Sequence, residues 1–424
     1  MMLTSALLIL GMQAPDAGLQ TRIEAHLKDP ILQGASVGIL VADDGGNPVF
    51  EFNPERRLIP ASTQKVIATL YALWRLGPNH QPQTRFWRDK DSVTIDAPGD
   101  PTFTTALLRE IRDKLGGQAE VVHLRQAYNP GTHPSWEVGD LPNRYAAPVS
   151  AFTLDRGSFE VRAKGGQVEP LPEELGVELL LTANERAARA QYNYWGSRVR
   201  VTGKPPAQDG LIEAFALREP HKAAARFLGR LHVPEFHTPT RTPDHIQVGP
   251  RMMDLAKRCL EPSDNLFAEN LLLMGANRDG ELPSESPWTY ASDQAEKFLQ
   301  EVVRWQGPPA KVEDGSGLSR GNLVTARGLV DCLVWARSQP WAEEYRKALA
   351  EPGEGTLRTR LAGSSIHGKT GTLRRVTTLT GYVTDASGRL RVFAILVNNS
   401  GATALAQREW IDKIVGLIEG AKTP

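Results

Sequence analysis

The sequence of 424 residues contains only two cysteines, Cys259 and Cys332. So few thiols exclude a disulfide scaffold and a multi-thiolate metal cluster. The nine histidines form no HExxH, HxH or mixed cysteine and histidine spacing, so we expect neither a metal nor another cofactor. The sequence leaves open whether the two cysteines pair, with two small buried thiols as the alternative to a bridge.

The chain also lacks net charge, since 49 Lys and Arg residues balance 49 Asp and Glu residues. A pI near 7.1 leaves no overall field that would attract a polyanion, and we expect no nucleic-acid partner. Apolar residues make up 41% of the chain and charged residues 23%, which is ordinary for a folded protein and excludes general disorder.

Long apolar runs are absent too, because no stretch reaches 18 apolar residues and none is expected to span a bilayer as a helix. The C-terminal segment "REWIDKIVGLIEGAK" places Trp410, Ile411 and Ile414 on helical spacing, with few basic residues on the polar face. We therefore expect a helix that packs on a core and, at most, a peripheral association with a membrane surface.

The first residues have no Lys or Arg before Arg22, although an apolar run from Leu3 to Met12 is followed by small residues. This pattern resembles a secretory signal that lacks its positive region. We interpret residues 1–20 as a signal peptide and expect a secreted or periplasmic protein of the cell envelope. The alternative is an N-terminal helix of the fold.

A chain of this length exceeds what one hydrophobic core usually serves. Residues 35–42 and 48–52 flank "DDGGN" and predict a β-hairpin, and two more strands joined by "DASG" lie near the C-terminus. Between them, short apolar strands alternate with loops rich in Pro and Gly. We predict a main domain from residues 28–88 and 237–424, interrupted by a β-rich insertion at residues 89–236.

Three short motifs occur in a fixed order. Ser62 and Lys65 lie three residues apart at the start of an apolar helix, where they share one face. An amine activates a hydroxyl only when it is neutral, which requires burial or a neighbouring cation to lower the lysine pKa. A lone SxxK is more often a helix cap followed by a solvated lysine.

The other two motifs change that balance. Ser263-Asp264-Asn265 precedes a second apolar helix, and Lys369-Thr370-Gly371 begins a strand. Each motif is weak alone, as a helix cap or as a glycine that permits close approach of a ligand backbone. Together, in this order and in these contexts, S-x-x-K, S-D-N and K-T-G are typical of penicillin-binding proteins and class A β-lactamases.

The chain resembles the penicilloyl serine transferase superfamily and, within it, the class C low-molecular-mass penicillin-binding proteins. These are the DacB-type D-alanyl-D-alanine carboxypeptidase/endopeptidases. The stretches "GDPTFTTALL", "RYAAPVSAFTLDRGSF", "DGSGLSRGNLVTARGLVDCL" and "GKTGTLRRVTTLTGYV" carry the resemblance beyond the motifs. It implies an α/β (α+β) fold, with a β-lactamase/transpeptidase-like domain whose antiparallel sheet is flanked by helices. It also implies a mainly β insertion of one or two small lobes.

The resemblance also implies a role for each motif residue. Ser62 attacks the carbonyl between two terminal D-alanines and Lys65 accepts its proton, while Ser263 relays a proton to the leaving amine. Asn265 hydrogen-bonds the substrate amide, Lys369 is a cation beside Lys65, and Thr370 binds the terminal carboxylate. Gly371 lies beside the ligand backbone. The backbone N–H groups of Thr372 and Ser62 donate to the oxyanion.

The expected partners are peptidoglycan stem peptides, with β-lactam antibiotics as covalent inhibitors. A β-lactamase is a close alternative, but class A enzymes keep their second motif nearer the first. A catalytically silent cell-wall-binding relative is the alternative from another class. One further pattern, Gly317-Leu318-Ser319-Arg320-Gly321, matches the nucleophile elbow of α/β-hydrolases. No strand pattern precedes it, so we predict that this segment is a loop beside Ser62.

Overall fold

A computed structural model describes residues 17–235, 237–280 and 282–420. Most of the predicted signal peptide, residues 1–16, lies outside the described residues, and Ala17 begins the first helix. Within the three described ranges, every helix is too short or too polar to cross a membrane.

The described residues form sixteen strands and ten α-helices. The strands are β1 Ser36–Ala42, β2 Pro48–Phe52, β3 Gln83–Arg88, β4 Ser92–Ala97, β5 Ala119–Gln126, β6 Ser158–Lys164, β7 Gln167–Val168, β8 Glu178–Ala187, β9 Arg189–Asn193, β10 Arg198–Lys204, β11 Gly210–Ala216, β12 Gly229–Pro234, β13 His245–Val248, β14 His367–Leu373, β15 Val376–Thr384 and β16 Leu390–Asn398. The helices are α1 Ala17–His26, α2 Gln64–Leu76, α3 Thr105–Lys114, α4 Pro220–Arg226, α5 Met252–Leu260, α6 Asn265–Ala276, α7 Pro287–Phe298, α8 Ala326–Arg337, α9 Ala342–Arg346 and α10 Ala404–Glu419.

The main sheet joins the two ends of the chain. Its five strands run in the order β14-β15-β16-β1-β2, and all neighbouring strands are antiparallel. Ile39 of β1 lies opposite Ile395 of β16 on one side and opposite Phe52 of β2 on the other. The predicted pairing of an N-terminal hairpin with C-terminal strands is therefore confirmed.

Both faces of this sheet are buried, because side chains alternate along each strand. Ile39 and Val41 pack with α1 and α10, whereas Leu40 packs with the helices α2, α5, α6, α7 and α8 on the opposite face. The apolar side of α10, which includes Trp410 and Ile411, is buried in the first of these cores. The apolar side of the C-terminal helix, which a membrane contact would require, is therefore packed against the sheet.

The other strands form three further sheets. A five-stranded mixed sheet has the order β12-β5-β4-β3-β13, with β5 parallel to both of its neighbours. Two three-stranded sheets follow, in the orders β8-β10-β9 and β11-β6-β7. Helices α3 and α4 lie between these strands along the chain.

The strand pairing bears on the limits of the insertion. Strand β3, which we had placed in the main domain, pairs with β4 and β13 of the mixed sheet. The Gly249 N–H donates to the Pro82 carbonyl at 2.8 Å, where the outgoing and returning chain segments meet. The limits at residues 88 and 237 remain a prediction, and this pairing favours limits nearer residues 82 and 249.

Both cysteines are free and buried, Cys259 on α5 and Cys332 on α8. The question of a bridge is thus answered in favour of two thiols. Burial raises the pKa of the Cys259 thiol to about 12, so this thiol stays protonated and unreactive.

Candidate active site

Ser62 lies in a short 3₁₀ turn, Ala61–Thr63, that leads directly into α2. The Pro60 carbonyl anchors this turn, accepting the hydroxyl of Thr63 at 2.7 Å and that of Thr378 at 2.7 Å. The residues on either side of Ser62 are buried, while Ser62 is only partly buried. The turn therefore presents one hydroxyl from an otherwise buried segment.

Lys65 is fully buried one turn later on α2. Its Nζ lies 2.9 Å from Ser62 Oγ, 2.7 Å from Asn265 Oδ1 and 2.8 Å from the Ser316 carbonyl oxygen. The last two atoms can only accept hydrogen bonds. A neutral amine has two N–H bonds and one lone pair, so donating to both acceptors leaves its lone pair facing the Ser62 hydroxyl.

Burial lowers the pKa of the Lys65 amine, and this favours the neutral form. Acidic groups around Lys65, among them Glu269 and Asp314, act in the opposite direction. Desolvation is therefore the cause that the sequence correctly suggested. The second cation that the resemblance implied is also buried in the site.

That second cation is Lys369, which is fully buried on β14. The pKa of its amine lies well below the usual value, because the amine is buried and because Lys65 repels its charge. Nζ donates to Ser263 Oγ at 2.8 Å and to the Thr370 carbonyl at 2.8 Å. Charge repulsion between two amines acts on both of them, so the predicted effect of Lys369 on the pKa of Lys65 remains a prediction.

Asn265 is the first residue of α6 and connects two parts of the site. Its Oδ1 accepts from Lys65, and its Nδ2 donates to the Tyr145 carbonyl at 2.7 Å. Both ends of the side chain already have partners within the protein. Asn265 is therefore placed to orient Lys65, in addition to the substrate contact that the resemblance implied.

Gly371 is needed for packing within the chain. A Cβ at this position would lie 2.8 Å from the Pro60 carbonyl oxygen and 2.9 Å from the Ser62 nitrogen, and would collide with the Thr378 hydroxyl. The glycine therefore lets β14 lie against the Ser62 turn, and the close approach of a ligand backbone there remains a prediction. Thr370 is buried, and Thr372 is half-buried and its hydroxyl accepts a hydrogen bond from Arg408 at 3.2 Å.

Two buried acidic side chains, for which the sequence analysis gave no role, support the site. Glu269 of α6 accepts the backbone N–H groups of Gly315 at 2.7 Å and Ser316 at 2.9 Å. Asp314 accepts from Gly317 N at 2.8 Å and Ser319 N at 2.7 Å, with further donors on Trp136 and Asn322. These bonds fix the loop whose Ser316 carbonyl contacts Lys65. Burial and the nearby Asp314 raise the pKa of Glu269 to about 8.

The sequence held only a weak signal for this support. Glu269 stands in an otherwise apolar helix, and a charged residue in such a position must be paired or hydrogen-bonded. Within residues 17–235, 237–280 and 282–420, no three His, Cys, Asp or Glu side chains are grouped so as to hold a metal ion.

The comparison with protein families now follows from this geometry. A model described as the D-Ala-D-Ala carboxypeptidase 3 (S13) family matches residues 19–233 and 245–420. The chain belongs to this family. Among known proteins, a D-alanyl-D-alanine carboxypeptidase of Actinomadura sp. (strain R39) is 26% identical over 470 residues, covering 96% of this chain and 86% of that protein. Carboxypeptidase DacB of Mycolicibacterium smegmatis is 26% identical over 435 residues, covering 95% and 84%.

Solved structures show the same fold. Penicillin binding protein 4 (dacB) from Haemophilus influenzae is similar with a TM-score of 0.76 at 18% identity, covering 93% of this chain and 97% of that one. The predicted family and fold class are confirmed, and so is the prediction of a serine-type D-Ala-D-Ala carboxypeptidase. The roles of individual residues remain predictions.

The G-x-S-x-G match in this S13 peptidase lies in a loop, since no strand runs into it. Ser319 is fully buried and accepts a hydrogen bond from Ser135 Oγ at 2.6 Å. A nucleophile elbow needs a strand before it and an exposed hydroxyl at its tip. The segment therefore borders the Ser62 site, as predicted, and does not form an elbow.

Gly317 provides a test of how tightly this loop supports Ser62. Its φ is 81°, and a Cβ there would collide with the Ala61 carbonyl oxygen. We expect Gly317→Ala to lower the free energy of unfolding by about 2 to 4 kcal/mol, from overpacking and an unfavourable φ. Penicillin acylation should slow as well, because the turn that holds Ser62 must move.

The matched control is Gly401→Ala, where no heavy atom lies within 4 Å of an added Cβ. It should change the free energy of unfolding by no more than about 0.5 kcal/mol. Urea unfolding and acylation rates of both variants make the comparison. Equal behaviour of the two variants would show that the loop is loosely packed against Ser62.

Proposed function

We propose that the chain hydrolyses the bond between the two terminal D-alanines of peptidoglycan stem peptides through an acyl-enzyme on Ser62. The observation that carries this proposal is the position of Lys65 Nζ, 2.9 Å from Ser62 Oγ and held by two acceptors. A neutral amine in this position is a general base for a hydroxyl nucleophile.

The first half of the reaction follows from these contacts. Ser62 Oγ attacks the scissile carbonyl and passes its proton to Lys65, and a tetrahedral oxyanion forms. The backbone N–H groups of Ser62 and Thr372 are the proposed donors to it; one such donor is typically worth about 3 to 4 kcal/mol of transition-state stabilisation. Ser263 then relays the proton that Lys65 took from Ser62 to the amine of the leaving D-alanine as the C–N bond breaks, so both Lys65 and Ser263 return to their starting protonation states. Water finally cleaves the ester and restores Ser62.

Recognition of the substrate needs a positive charge near its C-terminal carboxylate. Lys369 lies beside Ser263, and Thr370 follows it on the same strand. A protonated Lys369, with the Thr370 hydroxyl, is the proposed partner of that carboxylate. A carboxylate bound beside the Lys369 amine raises the pKa of this amine and so favours its protonated form.

The same site is suited to β-lactams and to cross-linked substrates. The Haemophilus influenzae protein has been crystallised in a complex with a β-lactam, and this supports covalent inhibition by penicillins. Bd3459 of Bdellovibrio bacteriovorus, described as a predatory peptidoglycan endopeptidase, shares the fold with a TM-score of 0.53 at 14% identity. We propose a carboxypeptidase with endopeptidase action on D-alanyl cross-links. Because its substrate is the cell wall, we place it outside the cytoplasmic membrane, in the envelope or the periplasm.

Purified protein given a fluorescent penicillin should form one adduct per chain that survives denaturation. The same protein should release D-alanine from pentapeptide muropeptides, and unlabelled penicillin should block this release. Cross-linked dimeric muropeptides in a parallel reaction report the endopeptidase action. Rapid release of opened penicillin would instead indicate a β-lactamase, and failure to form any adduct would indicate a silent wall-binding relative.

A further inference from the structure

The inserted region reaches the second motif through Arg156. The guanidinium of Arg156 forms an ion pair with the carboxylate of Asp264, the middle residue between Ser263 and Asn265. The Asp264 side chain is only 6% exposed, whereas that of Arg156 is 42% exposed. A carboxylate in so dry a place needs a charged or hydrogen-bonding partner to stay ionised.

Asp264 is also the N-cap of α6. Its Oδ1 accepts the Phe267 N–H at 3.1 Å, and its own N–H donates to the Cys259 carbonyl at 3.0 Å. One carboxylate therefore ties the first turn of α6 to the inserted region. Any change in how this carboxylate is held is transmitted to the adjoining peptide unit of Ser263.

Ser263 has a backbone conformation that depends on such anchoring. Its φ is 63°, in the left-handed region that residues other than glycine rarely adopt. In this conformation Ser263 Oγ receives a hydrogen bond from Lys369 Nζ at 2.8 Å. Unfavourable conformations of this kind persist only where the surroundings hold them, and they cluster at functional sites.

The loop that carries Arg156 is itself fixed by the inserted region. Asp155, Arg156 and Gly157 are three consecutive left-handed residues, with φ of 43°, 60° and 64°. The Asp155 N–H donates to the Phe103 carbonyl at 2.8 Å, and the Asp155 carboxylate accepts the Thr105 N–H at 3.2 Å. These contacts do not involve Asp264, so the loop presents Arg156 independently of the ion pair.

We infer that Arg156 is a positioning residue: through Asp264 it holds Ser263 in the conformation in which Ser263 can pass a proton to the leaving amine. This inference rests on the proposed function of Ser263 and gives the inserted region a part in the chemistry. A cavity of about 960 Å³ borders both Arg156 and Asp264, and Arg144, Lys257 and Arg258 also line it. Among the ion pairs of the described residues, Arg156 is the cation that contacts the Asp264 carboxylate directly.

The test is a double-mutant cycle with Arg156→Ala, Asp264→Asn and the double variant. We expect Arg156→Ala to slow acylation by a fluorescent penicillin about tenfold. With a peptide substrate, kcat should fall while KM changes little, because the proposed carboxylate contacts of Lys369 and Thr370 remain. Arg156→Lys should recover much of the rate. In the Asp264→Asn background, Arg156→Ala should cost less than twofold.

Arg162→Ala is the matched control. Arg162 lies on β6 of the same inserted region, is about half exposed and pairs with Glu160 at 2.6 Å. Its removal should leave the acylation rate within twofold of the wild type. A wild-type rate in Arg156→Ala, or the same tenfold loss with and without the Asp264 carboxylate, would overturn the inference.

The outcome can be separated from the fate of the proposed function. If the wild-type protein formed no adduct, the proposed function would fail. The thermal unfolding of the same four proteins would still decide whether the two side chains are coupled, since additive shifts would overturn the contact. If Arg156→Ala did not fold, Arg156→Gln, which keeps a long polar side chain without the charge, would carry the same test, and a wild-type acylation rate in it would overturn the inference.

Discussion

Replacing Ser62 by alanine is expected to abolish covalent labelling by penicillin and to lower kcat for D-alanine release on the order of 10⁶-fold, to below detection. No other hydroxyl lies within reach of the Lys65 amine among the contacts of the described residues. Thr63 and Thr69 hydroxyls, which are near in sequence, are engaged with backbone carbonyls. Labelled-penicillin gels and release of D-alanine measure the two effects.

The position of the adduct on the wild-type protein gives an independent check. Trypsin separates the three relevant serines into different peptides, with Ser62 in residues 58–65, Ser263 in residues 259–278 and Ser319 in residues 312–320. Mass spectrometry should find the adduct on the first of these peptides. An adduct on either of the others would contradict the assignment of Ser62, as would labelling that persists in Ser62→Ala. Thermal unfolding of the variant should match the wild type, since one partly exposed hydroxyl is lost.

The motif residues illustrate what the sequence can predict. Ser62 and Lys65 share a helix face by spacing alone, so their contact follows from helix geometry. The Ser263 to Lys369 contact spans 106 residues, and only the resemblance to a family assigned these two residues to one site. The conformation of Ser263 could not be predicted at all, because a left-handed serine is held by distant partners and leaves no local pattern.

The supporting loop shows why other parts of the site were missed. The group that Ser316 offers to Lys65 is a backbone carbonyl, which every residue has, so the residue type carries no signal. Gly317 is more informative in retrospect, since its φ and its contact with Ala61 exclude a side chain. Glu269 could have been noted as a carboxylate within an apolar helix, but its acceptor role needs the loop to be seen.

The fold was predictable where the sequence pattern is local, as in a turn, or where a strand is apolar on both faces. Nearly continuous apolar runs in β1 and β16 and the Gly-rich turn between β1 and β2 predict strands, and the structure pairs these strands in the main sheet. The assignment of β3 was not predictable in the same way. The residue pattern of β3 fits a strand in either sheet, and the partner of β3, β13, lies more than 150 residues away along the chain. Hydrophobic patterning identifies such a strand but does not select its neighbour.

Lys65→Ala is expected to slow acylation by between about 10²- and 10⁴-fold, the usual contribution of a general base. Lys65→Arg should lose as much, although it keeps the positive charge, because a guanidinium does not give up its proton in the accessible range. Charge alone therefore does not restore the rate. Stopped-flow acylation by a chromogenic cephalosporin measures these rates, and thermal unfolding identifies losses that come from misfolding.

The pH dependence distinguishes a base from a mere structural contact. Only the neutral amine accepts the Ser62 proton, so the wild-type acylation rate should rise with pH as Lys65 deprotonates. Burial lowers the pKa of this amine, so the rise should occur at lower pH than the titration of a solvated lysine. In Lys65→Ala the residual rate should lack this rise, since the titrating group is gone. An unchanged profile in that variant would assign the proton transfer to another group. Near wild-type acylation by Lys65→Arg would show that the lysine acts through its charge.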